Sequence, residues 1–286
     1  MAQAQHGEDR FSSAGRLSIF YRWWRPETPR GVVAIVHGFN SHSGHYGWVA
    51  EQFVASGMAV YALDLRGRGK SDGERFYVDR FSDYVVDVVN LVGLAKLREP
   101  GLPVFLLGHS AGGVVSCIYA LEHQVELAGL ICESFAYEVP AADFALAVFK
   151  GLSHVAPHAH VLKLKNEDFS RDAKWVQVMN ADPLIAHEIQ PTQTLAEMVR
   201  ADARLRSEFP KITVPLMVIH GTEDRATKPA GSRRLFDRAG SSDKTLKLYD
   251  GYFHDPLHDL GKHIVMADIV SWVSARIPAV RPAMLA

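Results

Sequence analysis

The stretch PVFLLGHSAGG, residues 103–113, decides how the rest of the chain is read. An apolar run ends in Gly108-His109-Ser110-Ala111-Gly112, the pattern G-x-S-x-G, and continues as the helical stretch AGGVVSCIYALEH (111–123). A serine at a sharp strand-to-helix turn is held in a strained conformation, and small neighbours let other backbone approach it closely. The helix behind it aims its N-terminal dipole and its free N–H groups at charge developing on a substrate oxygen. The plain alternative is a Gly-rich turn that merely joins strand to helix. The strand before it and the helix after it favour Ser110 as a nucleophile.

Working outward, short β-branched runs alternate with helical stretches, which predicts a mostly parallel sheet flanked by helices. VVAIVHG (32–38), AVYALDL (59–65), LAGLICE (127–133) and VPLMVIHG (214–221) each carry a continuous apolar run, as strands buried on both faces should. RLSIFYRWW (16–24) reads as an early antiparallel strand and TLKLYD (245–250) as an edge strand. Residues 81–98 carry an apolar stripe through Phe81, Tyr84, Val85, Val88, Val89, Val92 and Ala95, the period of a helix. Residues 111–123 and 262–275 read as helices too. Strand character then disappears over roughly residues 135–210, between two core strands. That length exceeds a passive loop and its apolar content argues against disorder, so a helical cap is expected, its first helix starting at Pro140. The division is therefore core (1–134), cap (135–210) and core again (211–286).

A nucleophilic hydroxyl needs a general base, and the base an orienting carboxylate. His254, in DGYFHDPLHD, follows the last strand and precedes the last helix, where the base belongs. His258 is its rival, although Pro256 prevents a regular helix from pairing the two. For the acid, Asp224 lies directly beyond the strand VPLMVIH, and Glu133 ends LAGLICE at the same sheet edge. Asp224 is preferred and Glu133 is the alternative, with a second reading as a carboxylate that holds loop amides. Glu223 and Asp255 read as solvent-facing. The amides of Ala111, after the nucleophile, and of Phe39, in the loop His37-Gly38-Phe39-Asn40, are the expected oxyanion donors.

The bulk composition narrows the field. The 286 residues carry a formal charge of −1, with 48% apolar and 22% charged residues and no polybasic run, so nucleic acid is not an expected partner. The first dozen residues are polar, and no apolar run is long enough for a membrane span, so a cytoplasmic protein is expected. Cys117 and Cys132 stand outside any metal-ligand spacing and read as small core residues. RGRGKS (66–71) fails as a phosphate loop because Asp64 occupies the place of the first glycine. His154, His158 and His160 lack the partners of a zinc site and read as surface or pocket-rim residues. FALAVFKGL (144–152) packs on the core by default, with transient membrane or micelle contact as its alternative.

With these residues in place, the chain resembles the monoacylglycerol lipase family of α/β hydrolases. The resemblance rests on HGFNSHSGHY (37–46), LDLRGRGKSDGERFYV (63–78), LPVFLLGHSAGG (102–113), NADPLI (180–185), HGTEDRAT (220–227) and KTLKLYDGYFH (244–254), in that order. It implies the α/β-hydrolase fold, a triad of Ser110, Asp224 and His254, a helical cap over a lipid-sized pocket, an ester or lipid substrate, and no cofactor or metal. Ala111 stands where better-known members carry Met, and Phe39 replaces a small residue in the oxyanion loop. Lysophospholipase or general carboxylesterase activity is the nearest alternative. A cofactor-free perhydrolase or haloperoxidase, or a non-catalytic ligand-binding protein, stands further off.

Overall fold

The computed structural model describes residues 5–137 and 151–278. Runs that are apolar along nearly their whole length have become strands hidden on both faces. In chain order the strands are β1 (Gln5–Ser12), β2 (Ser18–Arg25), β3 (Gly31–Val36), β4 (Met58–Leu63), β5 (Val104–His109), β6 (Gly129–Glu133), β7 (His160–Leu162), β8 (Gln190–Pro191), β9 (Leu216–Gly221) and β10 (Lys244–Tyr249). Eight of them form one sheet in the order β1-β2-β4-β3-β5-β6-β9-β10. The β1–β2 and β2–β4 pairs are antiparallel and every other pair in that sheet is parallel. Each residue of β3, β4, β5, β6 and β9 is buried. Parallel strands require covering on both sides, and helices provide it.

In chain order the α-helices are α1 (Gly47–Ala55), α2 (Phe81–Arg98), α3 (Ala111–His123), α4 (Ala173–Ala181), α5 (Thr192–Glu208), α6 (Pro229–Arg238) and α7 (Lys262–Ser274), with α4 and α5 in the insertion between β6 and β9. One core layer includes Val32, Ala34, Val88, Leu106, Val114 and Leu130; the other includes Val33, Ile35, Phe53, Leu107, Ile131 and Ile269. Alternate residues of β3 therefore feed opposite layers, as the two-residue strand period demands.

Two departures from the sequence reading stand out. β1 was not anticipated, because QHGEDRFS is exposed or half-exposed along its length and its strand character comes from its pairing with β2. The insertion between β6 and β9 is also not purely helical. β7 and β8 form a short antiparallel ladder within it, joining residues too few to show a period in sequence. The expected helix start at Pro140 and most of FALAVFKGL lie outside the described residues. No helix among the described residues is long and apolar enough to cross a membrane.

Candidate active site

Parallel strands all end at the same edge, so residues distant in sequence meet where β3, β5, β6 and β9 finish. Ser110 caps β5 at φ 54° and ψ −120°, outside the regions L-residues favour, and α3 starts at the next residue. Tight clearances hold that turn. A Cβ on Gly38 would fall 2.8 Å from the Ser110 Cβ, and one on Gly112 would fall 2.2 Å from the Val36 carbonyl oxygen. The Ser110 amide donates to the Glu133 carbonyl at 2.9 Å, tying the turn to β6.

His254 lies in the loop after β10, which passes directly over the end of β9; a Cβ on Gly221 would strike the carbonyl oxygens of Tyr252 and Phe253 at 2.3 Å. The His254 Nε2 lies 2.9 Å from Ser110 Oγ, and its Nδ1 lies 2.7 Å from Asp224 Oδ2. All three side chains are buried. Asp224 Oδ2 also faces His220 Nε2 at 2.8 Å and accepts from Thr227 Oγ1 at 2.8 Å. Its Oδ1 accepts the Ala226 and Thr227 amides, each at 2.8 Å. Burial alone would push this carboxyl up. The His254 charge and the His220 and His254 hydrogen bonds outweigh it, holding Asp224 far below the usual carboxylate range.

Glu133 occupies the matching position at the end of β6 and has a different setting. It is fully buried, its Oε1 accepts the Leu257 amide at 2.9 Å, and its Oε2 has no hydrogen-bond partner among the described residues. Burial first, then the neighbouring Asp255 charge, push its carboxyl well above the usual carboxylate range. Of the two candidate acids, the structure brings Asp224 and not Glu133 to the imidazole of His254.

Asp255 is not solvent-facing as its sequence context suggested. It is buried, with its carboxylate 2.8 and 2.9 Å from His258 Nδ1. Burial would raise its carboxyl, but the His258 and His109 charges and the His258 hydrogen bond bring it down to about 2. Glu223 is exposed, as expected. His258 lies in a single turn, Pro256–His258, and donates from Nε2 to the His45 carbonyl at 2.9 Å, turned away from Ser110 by its own partners. His109, behind the nucleophile, donates to the His254 carbonyl at 3.2 Å, and burial lowers its imidazole to about 4.

Of the two expected oxyanion residues, Ala111 adjoins Ser110, and Phe39 follows Gly38, whose added Cβ would fall 2.8 Å from the Ser110 Cβ. Ala111 is the first residue of α3, where helix amides have no intrahelical acceptor. Phe39 follows β3, and its ring is buried in the core beneath the Arg68 guanidinium, 4.2 Å from the ring centre. RGRGKS is an irregular loop whose Arg66 pairs with Asp87 at 2.8 Å and whose Arg68 is buried against Glu188. His154, His158 and His160 are exposed, His158 lying 2.8 Å from Glu74. The two free cysteine sulfurs lie 3.5 Å apart in the core.

Sequence reasoning missed a cluster formed by His42, His45 and Asp182. Asp182 Oδ2 accepts from His42 Nε2 at 2.7 Å and His45 Nε2 at 2.8 Å. Since His42 Nδ1 accepts the Gly44 amide at 3.0 Å, the proton of that ring sits on Nε2, which is the arrangement of a hydrogen-bond donor rather than of a metal ligand. More than 130 residues of chain separate these partners, and only the motifs HSGH and NADPLI hinted at either.

A mostly parallel sheet ending in a serine elbow, with histidine and aspartate in line behind it, defines a serine hydrolase of the α/β class. Residues 27–261 match the family model described as serine aminopeptidase, S33. The chain is 35% identical to a monoacylglycerol lipase of Mycolicibacterium smegmatis over 97% of its own length and 100% of the relative's. It is 34% identical to the human monoglyceride lipase, covering 90% of this chain and 87% of that one. A crystal structure of the Paleococcus ferrophilus monoacylglycerol lipase superposes with a TM-score of 0.79 at 28% identity, covering 95% and 99% of the two chains. The chain belongs to the monoacylglycerol lipase family of α/β hydrolases.

Proposed function

We propose that the chain hydrolyses monoacylglycerol-like carboxylic esters through an acyl-enzyme on Ser110. The observation that carries the reading is the buried relay from Ser110 Oγ through His254 to Asp224, with contacts of 2.9 and 2.7 Å. His254, oriented by the Asp224 carboxylate, takes the Ser110 proton as Oγ attacks the ester carbonyl. The Phe39 and Ala111 amides bind the resulting oxyanion, and His254 protonates the departing alcohol. Water, activated by the same imidazole, then releases the fatty acid. Asp224 suits the role because it stays ionised across the working pH range, so it stabilises the imidazolium without taking its proton.

Residues 135–210 act in this reading as a cap over the acyl chain, and the substrate class follows from the names of the relatives at 34–35% identity. A cytoplasmic enzyme that meets its lipid at micelle or membrane surfaces belongs to the same proposal. The test is a panel of 1- and 2-monoacylglycerols of graded acyl length, set beside lysophospholipids and short aryl esters. The expected result is a kcat/KM maximum on a monoacylglycerol. A maximum on a lysophospholipid or an aryl ester would replace the substrate assignment. Near-wild-type turnover by Ser110→Ala would remove the acyl-enzyme itself, since loss of a triad nucleophile costs on the order of 10⁵–10⁶ in kcat.

A further inference from the structure

The oxyanion loop after β3 is fastened by side chains from the insertion. Asn40, which follows Phe39, stands at φ 51°, in the left-handed region that asparagine enters more readily than other non-glycine residues. Its amide donates to Glu188 Oε1 at 3.0 Å across 148 residues of sequence. Its Nδ2 donates to Asn166 Oδ1 at 2.8 Å. The same Glu188 oxygen accepts from Gln190 Nε2 at 2.7 Å and forms an ion pair with Arg68. Arg68 Nη2 donates to Gln190 Oε1 at 2.7 Å, while the guanidinium covers the Phe39 ring. Both charged side chains are about 1% exposed.

Phe39 is therefore gripped on two sides, its ring by Arg68 and the peptide that follows it by Glu188, and the two grips are bonded to each other. A buried ion pair is a poor device for stability alone, because well-packed apolar residues of similar volume often serve as well. What an ion pair adds is direction. It places one carboxylate oxygen where a particular amide must point.

We propose that Glu188 is a positioning residue for the oxyanion hole, with Arg68 as its counter-charge, and that together they set the Phe39 amide. This rests on the acyl-enzyme reading above and on Phe39 as an oxyanion donor. Losing the grip rotates that amide away from the developing oxyanion without touching the binding of the acyl chain. It should lower kcat and leave KM nearly unchanged.

The experiment compares Glu188→Ala, Glu188→Gln and the double variant R68M/E188M on an aryl ester and its matched thionoester, alongside thermal melts. Sulfur fits an oxyanion hole badly, so the oxygen-to-sulfur rate ratio reports on the hole itself. Glu188→Ala should lose roughly 10²-fold in kcat, within the 10²–10³ range for a lost oxyanion donor, and its oxygen-to-sulfur ratio should collapse. Glu188→Gln keeps an acceptor for the Asn40 amide and should recover much of that loss. Because Glu188→Ala strands a buried guanidinium and is at risk of misfolding, the double variant separates the effects. It leaves no charge unpaired, and should melt near wild type while showing the same kcat loss and ratio collapse. A double variant with wild-type kcat and ratio overturns the inference, and so does a kcat loss with an unchanged ratio. Ser110→Ala is run in parallel; if it keeps turnover, the acyl-enzyme reading falls and this inference falls with it, a failure distinct from the other two.

Discussion

The ends of β6 and β9 are neighbours in one sheet, and each delivers a carboxyl group to the same edge, yet their surroundings shift the two groups in opposite directions. Beyond β9, Asp224 sits in a turn whose amides and hydroxyl point at it, with two imidazoles alongside. At the end of β6, Glu133 has one amide, one unpartnered oxygen and another carboxylate nearby. The first environment favours the anion and the second disfavours it. Position on the sheet thus selects which groups are able to meet, and the donors around each group select what it does there.

The sharpest way to break this contrast is substitution of the two acids. Asp224→Asn should lower kcat by about 10⁴, because the imidazole loses both its orientation and its stabilising charge. Glu133→Gln replaces a carboxyl group with an amide of the same shape that still accepts the Leu257 amide, and should stay within about threefold of wild-type kcat. Single-turnover rates with an aryl ester measure both, and reversed magnitudes would transfer the triad to Glu133.

Stability should divide in the same manner. Thr227→Val removes a hydroxyl donor to a buried carboxylate and should cost about 1.5–3 kcal/mol in urea unfolding, as loss of a hydrogen bond to a charged group does. The pH dependences should have opposite signs. Asp224 is depressed in the folded state, so its contribution is present above the unfolded carboxyl range and is lost as pH falls below about 4. Glu133 is raised, so its contribution is complete below its unfolded value and is lost as pH climbs from about 4.5 toward the folded value. Each unit of difference is worth about 1.4 kcal/mol. Glu133→Gln should therefore flatten the alkaline side of the stability profile, raising the urea midpoint at pH 8, and leave the acid side unchanged. A midpoint that drops at pH 8 would show that Glu133 is ionised in the fold.

Much of this edge was legible in the chain, for a physical reason. Strands buried on both faces are apolar along nearly their whole length, so β3, β4, β5, β6 and β9 announce themselves, and residues at their ends inherit a common rim. That logic led to Ser110, His254 and the two competing acids. What it did not reach were features defined by partners. β1 is mostly exposed and exists through its pairing with β2. Asp255 is polar and follows the expected base, so nothing local signals that His258 and burial enclose it. Asp182 meets His42 and His45, and Glu188 meets Asn40, across more than 130 residues, a distance at which spacing carries no information.

The backbone twist at Ser110 also has a bearing on heat tolerance. A non-glycine residue held in such a conformation costs on the order of 1–3 kcal/mol, and glycine adopts it freely. Ser110→Gly should consequently yield an inert protein that melts a few degrees above its parent. Natural selection would then be retaining, at its most exacting position, a residue the fold on its own would discard.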